Sequence, residues 1–175
     1  IDMGGIDTRG RYHVHWGAPE TYGERREESA LRRSGRPVPD PAYRPFAALL
    51  WSGVFERHPR LRYVLTETGV GWVVEKLRVL EFKADNPIFK HFTKNLSLSA
   101  SEYFARQCYL GASFMPAHEG RFRHQIGVDR LMWGSDYPHS ESTFPQSRQI
   151  LAEILAGVPE EEQTKIVGAT TARVY

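Results

Sequence analysis

The sequence has little cysteine, little net charge and no long apolar run. Cys108 is the only cysteine in 175 residues, so no intramolecular disulfide forms. A reducing setting, the cytoplasm, is the expectation. Lys and Arg number 23 against 21 Asp and Glu, which leaves a formal charge of +2 from thoroughly mixed residues. That balance gives no electrostatic argument for nucleic acid or an acidic membrane surface as partner. The most basic stretch, R-R-E-E-S-A-L-R-R-S-G-R at 25–36, carries Glu27 and Glu28 within it and reads as a solvated helix or loop. The longest apolar run, roughly 46–55, holds Ser52 and Gly53 and falls short of the ~20 residues a membrane span needs. Signal-peptide pattern, repeats and low-complexity tracts are lacking too.

What is present is a globular composition, 41% hydrophobic and 25% charged, in a length that supports one domain with a sizeable core. The chain starts at Ile1 rather than Met and reads as part of a longer one. Y-H-V-H-W at 12–16 reads as a strand that runs into Gly17 and Pro19. The segment 18–45 carries Pro19, Pro37, Pro39, Pro41 and Pro45, and so long a proline-rich connection suggests a functional loop. A helix is expected from Pro45 to the stop at Pro59, with His58 in its last turn. A second strand covers 61–69, and a helix follows near 71–84, where Trp72, Val73, Leu77 and Leu80 recur at helical spacing. Residues 85–99 read as irregular and 101–106 as helix. The strand at 108–114 is followed by a helix at 116–126, a strand at 130–136, and helix from about 144 onward, broken near Gly157-Val158-Pro159. Strands alternating with helices predict an α/β fold with parallel pairing.

In such folds chemistry gathers outside the carboxyl ends of the strands. Those ends present His15, Glu67, Ser113 and Asp136. L-M-W-G-S-D-Y-P-H at 131–139 poses the sharpest question, because an apolar strand finishes on a carboxylate. An ionised Asp is rarely buried unless something pairs with it. By strand alternation His13 and His15 share a face, and Asp136 shares one with Met132 and Gly134. Imidazole and carboxylate converging on one rim suit a divalent metal such as zinc. Plainer readings stand beside this one: His13 as a core residue, Asp136 as an Asx-turn, Glu67 as a cap on the next helix, and His91, His118 and His124 as surface residues. Cys108, in Q-C-Y-L-G, reads as a buried, unreactive thiol.

G-V-F-E-R-H-P-R-L-R-Y-V-L-T-E-T-G-V-G-W-V at 53–73 and G-V-D-R-L-M-W-G-S-D-Y-P-H-S-E-S-T-F-P at 127–145 resemble the amidohydrolase-related family. This is a branch of the metal-dependent amidohydrolase superfamily that includes non-oxidative decarboxylases. S-E-Y-F-A-R-Q-C-Y-L-G-A-S-F at 101–114 and K-I-V-G-A-T-T-A-R-V-Y at 165–175 fit it as well. The resemblance implies a (β/α)8 TIM barrel of which residues 1–175 supply the C-terminal half, about strands five to eight with their helices. It implies that His15 is the fifth-strand metal ligand and that Asp136 is the eighth-strand aspartate, which binds the metal, handles protons on the attacking water, or both. Three departures accompany it. Glu67 stands where many members carry a sixth-strand histidine, and Thr170 stands where Asn is usual. The first-strand His-x-His pair is not in its place, since H-V-H at 13–15 falls on the fifth strand. A whole barrel takes about 250 residues.

The implied function is that of a metal-dependent hydrolase. A divalent ion, zinc by expectation, activates water against an ester, lactone or amide carbonyl of a small-molecule substrate in the full-length parent. Asp136 is the catalytic base, His15 and Asp136 hold the metal, Glu67 and His139 face the substrate, and the loop 18–45 covers the site. Decarboxylation of an aromatic or unsaturated acid is the alternative on the same scaffold. A third possibility is an inactive half-barrel whose open edges pair with another copy as a homo-oligomer.

Overall fold

A computed structural model describes residues 42–175, apart from 114, 116, 140 and 141. The expected strand at 12–16, with His13 and His15, and the loop up to residue 41 lie outside the described residues. The last three residues assigned to that loop are helical, because α1 already runs from Tyr43 to Trp51. Pro45 sits in its first turn, where no intrahelical N–H is needed.

The helix expected to reach Pro59 breaks at Ser52-Gly53. Gly53 adopts φ 71° and its N–H returns to the Leu50 carbonyl at 2.9 Å, so α2 (Val54–Arg57) starts in a new direction. Left-handed backbone here favours a residue without Cβ. His58 is the residue just past α2, and not in its last turn. Next come β1 (Tyr63–Thr66), α3 (Gly71–Asp85), a short turn of helix α4 (Lys90–Thr93) and α5 (Ala100–Gln107). Residues 85–99 are therefore not wholly irregular. Asn86 accepts the Ile88 N–H at 2.9 Å and starts a 3-10 turn over Pro87–Phe89 that leads into α4. Ser99 and Glu102 form a reciprocal capping box at the start of α5.

Strand β2 spans Cys108–Ser113 and β3 spans Leu131–Gly134. Between them the expected helix is a 3-10 segment over Ala117–Phe122 followed by α6 (Arg123–Ile126). After β3 come α7 (Ser147–Ile154), α8 (Glu160–Thr164), a π turn over Lys165–Ala169, and α9 (Thr170–Val174). The break expected near Pro159 is the α7–α8 junction.

The three strands form a parallel sheet in the order β1-β2-β3, with Tyr63 opposite Cys108 and Leu110 opposite Leu131. Alternation sorts their side chains onto two faces. Leu65, Cys108, Leu110 and Leu131 point into the helical layer and form the main core with residues such as Phe46, Phe55, Leu80 and Ile166. An aromatic nest lies at its centre, with Phe46 and Phe104 edge to face at 5.7 Å and Phe55 stacked on Tyr103 at 6.4 Å. The Tyr103 hydroxyl donates to the Glu56 carboxylate and holds its pKa below the ordinary carboxylate value, with Ser97 assisting. Gln107, buried at the end of α5, donates to the His58 carbonyl at 2.8 Å and accepts from Arg106 at 2.8 Å. These bonds pin the loop that feeds β1.

The opposite face carries Val64, Thr66, Tyr109, Gly111, Met132 and Gly134. Its lower part is covered among the described residues, where Tyr109 and Met132 pack with Val174 of α9 and half-buried Val64. Arg62 fixes that lid by donating to the carbonyls of Arg173 and Val174 at 3.0 and 2.8 Å, and Arg173 in turn donates to the Asp129 carbonyl at 2.7 Å. Higher up, towards the carboxyl ends, Thr66 is exposed. No helix among the described residues is long and apolar enough to cross a membrane.

Candidate active site at the carboxyl ends of the strands

Both outer strands end sooner than the sequence pattern suggests, and for the same reason. β1 stops at Thr66 because Glu67 turns to φ 55°, and β3 stops at Gly134 two residues before Asp136, which adopts φ 60°. A non-glycine residue in left-handed backbone is uncommon and needs surroundings that hold it there. Pleat alternation therefore does not extend to Asp136. Its carboxylate is placed by the loop that follows.

That loop is closed by its own hydrogen bonds. The Thr143 N–H donates to the Ser135 carbonyl at 3.0 Å, and its hydroxyl pairs with that of Ser147 at 2.9 Å. Ser142 N–H donates to the His139 carbonyl at 3.1 Å, and His139 N–H to the Asp136 carbonyl at 2.9 Å. The ring of His139 returns to the strand end, with Nδ1 at 3.1 Å from Asp136 Oδ2. The Asp136 side chain is 8% exposed and that of His139 51%. The partner of the near-buried carboxylate among the described residues is thus an imidazole three positions on. Beside it, Tyr137 and Phe144 present solvent-exposed rings that meet edge to face at 5.0 Å.

Glu67 lies at the same rim on the other outer strand. Its N–H donates to the Gly111 carbonyl at 3.1 Å, continuing the β1–β2 ladder by one residue. Two strand spacings, about 10 Å of backbone, separate Glu67 from the β3 end. Glu67 does not cap α3. The carboxylate at that helix start belongs to Glu119, whose Oε2 accepts the Val70 N–H at 2.7 Å. A Cβ on Gly69 or Gly71 would come within 3.0 or 2.8 Å of Glu119 oxygens, so this close approach uses both glycines. Sequence reasoning missed Glu119. The signal for it was G-V-G itself, two glycines flanking a buried valine at a helix start. Thr68 Oγ1, Trp72 Nε1 and Trp133 Nε1 are buried near these strand ends in sequence and make no hydrogen bond among the described residues. Cys108 is buried and its thiol is pushed well above its ordinary pKa by desolvation, in keeping with an unreactive role.

The described residues fit a divalent cation as far as they go. Asp136 offers a carboxylate largely shielded from water, with His139 engaging Oδ2 alone. Structural and catalytic zinc sites use three or four protein donors. No group of three His, Cys, Asp or Glu that could hold a metal ion occurs among the described residues, and Asp136 is a single donor. His15, the other expected ligand, is outside the described residues. Two concave surfaces among the described residues lie elsewhere. One of about 410 Å³ is formed by Arg57–Leu61 before β1 and one of about 220 Å³ lies between Trp51, Glu56, Phe92 and Leu96.

In comparisons with known proteins, no curated protein matches this sequence. Among solved structures, an amidohydrolase from Mycobacterium avium subsp. paratuberculosis K-10 shares 24% identity and a TM-score of 0.64 over 77% of this chain and 33% of its own. The 5-carboxyvanillate decarboxylase LigW from Sphingomonas paucimobilis shares 22% identity and a TM-score of 0.58 over 97% of this chain and 44% of its own. This chain therefore spans less than half the length of the solved structures it resembles. The strand-end aspartate, its histidine and the parallel sheet below them lie within a match to one family model, Amidohydrolase (Amidohydro_2), that covers residues 12–175, and the chain belongs to that family.

Proposed function

We propose that this chain is the C-terminal half of a (β/α)8 barrel and that the complete barrel is a metal-dependent hydrolase of small-molecule esters, lactones or amides. The observation that carries the reading is Asp136, a nearly buried carboxylate at the end of β3, held by His139 in left-handed backbone. His15 and Asp136 are the proposed metal ligands, and zinc is the proposed ion. A divalent ion bound there supplies Lewis acidity, lowering the pKa of water and polarising the substrate carbonyl.

The chain's own residues do the rest. Asp136 takes the proton of the attacking water and returns it to the leaving group, as a general base and then acid. Glu67, two strands away on the same rim, faces the substrate, as does the free edge of the His139 ring. The loop 18–45 covers the site and selects what enters. The half-covered sheet face above Tyr109 and Met132 is the part of the interior that the other half of the barrel completes.

Decarboxylation of a carboxylated aromatic is the second reading, favoured by the likeness to a 5-carboxyvanillate decarboxylase over nearly all of this chain. One experiment separates the two. The full-length protein, loaded with zinc, is offered a panel of esters, lactones and amides and a panel of carboxylated aromatics. Hydrolysis that falls by about 10²–10⁴ in Asp136→Asn is the expected result. Carbon dioxide release without hydrolysis selects the second reading, and neither activity overturns both.

A further inference from the structure

We propose that His139 is a positioning residue for Asp136, holding the carboxylate in one orientation at the rim. The inference rests on the metal reading above and goes beyond it, because His139 there only faces substrate. Three observations support it. The contact is between Nδ1 and a single oxygen, Oδ2, at 3.1 Å, which leaves Nε2 on the outer edge of the ring. Burial is lopsided, with the carboxylate 8% exposed and the imidazole 51%. The half-exposed imidazole therefore lies between the near-buried carboxylate and solvent. Finally, backbone bonds hold residue 139 in place on both sides. Its N–H bonds the Asp136 carbonyl at 2.9 Å and its carbonyl accepts from Ser142 at 3.1 Å, inside a loop closed by Thr143.

An aspartate turns about two side-chain bonds, so a carboxylate near a cation samples several orientations unless something holds it. Partners behind a ligating group typically change metal affinity by about 10–100-fold when removed. The imidazole is built for that role here: a rigid ring on a three-residue turn reaches back to the strand end, where a flexible side chain would lose more rotamer freedom.

Isosteres separate positioning from substrate contact. Asn places its amide nitrogen where histidine carries Nδ1 and has nothing at Nε2, whereas Gln reaches towards Nε2 and gives up Nδ1. The experiment measures zinc affinity of the full-length protein by competition with a chromophoric chelator, for wild type, His139→Asn, His139→Gln, His139→Ala and Asp136→Asn. Circular dichroism and thermal melting confirm that each is folded. The expected result is a ~10–100-fold loss of zinc affinity in His139→Ala and His139→Gln, with His139→Asn within about threefold of wild type. If all three His139 variants hold zinc like wild type while Asp136→Asn does not, positioning is overturned and the metal reading stands. The same holds if His139→Gln, and not His139→Asn, retains affinity. If Asp136→Asn also binds zinc like wild type, the metal reading falls and takes this proposal with it. Should His139→Ala fail to fold, the Asn–Gln pair alone decides.

Discussion

Gly71→Ala should destabilise this protein in the wild type and stabilise it once Glu119 is gone. Gly71 opens α3, and its backbone lies outside the left-handed region, so alanine suits its conformation. Taken alone, Gly to Ala at a compatible site stabilises by about 0.4–1 kcal/mol, mostly by narrowing the unfolded ensemble. Here, however, the new Cβ would lie 2.8 Å from Glu119 Oε1. The carboxylate is the far end of a flexible side chain and can withdraw, so the overlap itself is cheaply relieved. What cannot be kept is the 2.7 Å bond from the Val70 N–H. Hydrogen bonds to charged groups contribute about 1.5–3 kcal/mol. Val70 is fully buried but Glu119 is partly exposed, so about 1–2 kcal/mol is the appropriate share. Loss of a negative charge at a helix start adds a few tenths more.

The net for Gly71→Ala is then about 1 kcal/mol of destabilisation. Glu119→Ala should cost about 1–2 kcal/mol by itself. In the Glu119→Ala background nothing remains to be evicted, and Gly71→Ala should gain its ~0.4–1 kcal/mol. Urea denaturation reads this directly. With a slope of about 1–3 kcal/mol/M, a 1 kcal/mol change moves the midpoint by roughly 0.3–1 M. The four proteins of the cycle should give a coupling of about 1–2 kcal/mol. Additivity, with Gly71→Ala equally harmful in both backgrounds, would show that Glu119 does not anchor this helix start.

Other outcomes follow from the same contacts. Phe55, fully buried between Phe46, Tyr63 and Tyr103, should cost about 3–5 kcal/mol on truncation to alanine, read as a lowered urea midpoint. Cys108 should react with a thiol reagent far more slowly in the native protein than in denaturant, and prompt native reaction would contradict its burial. Arg123, and then His124, hold the Glu162 carboxyl below its ordinary value. Its stabilising contribution is therefore present above the unfolded carboxylate value of 4.5 and lost as pH falls through the lower folded value. Glu162→Gln should accordingly flatten the acid side of the stability profile and leave its alkaline side alone.

The parts of this fold that were legible in the sequence are those set by periodicity. The helix at 71–85 was plain in Trp72, Val73, Leu77 and Leu80, and the core of each described strand was plain in its β-prone run. The strand ends were not, because an apolar run continues through T-E-T and G-S-D while the backbone does not. Nothing in the hydrophobic pattern marks Glu67 or Asp136 as left-handed. The capping box at Ser99 and Glu102 was visible as S-x-x-E and places the start of α5 one residue earlier than periodicity alone. G-V-G marks a close approach at the start of α3, but not that Glu119 makes it, since Glu119 and Val70 lie 49 residues apart. The pairing of Asp136 with His139 was half legible: the D-x-x-H spacing put both in one loop, but only the turn at φ 60° brings the ring back onto the carboxylate.

The two left-handed residues share one rim of the sheet. Each such conformation in a non-glycine residue costs of order 1–3 kcal/mol. Asparagine tolerates this region better than most residues, and glycine best of all, so folding stability alone would favour either over glutamate at position 67. Both positions nevertheless carry acids, on the two outer strands of the sheet, at the end where α/β proteins do their chemistry. The surrounding bonds, from Glu67 N–H to Gly111 and through the loop closed by Thr143, hold the strained backbone in place. Two carboxylates thus sit in left-handed backbone at one rim, and one of them is tied to an imidazole.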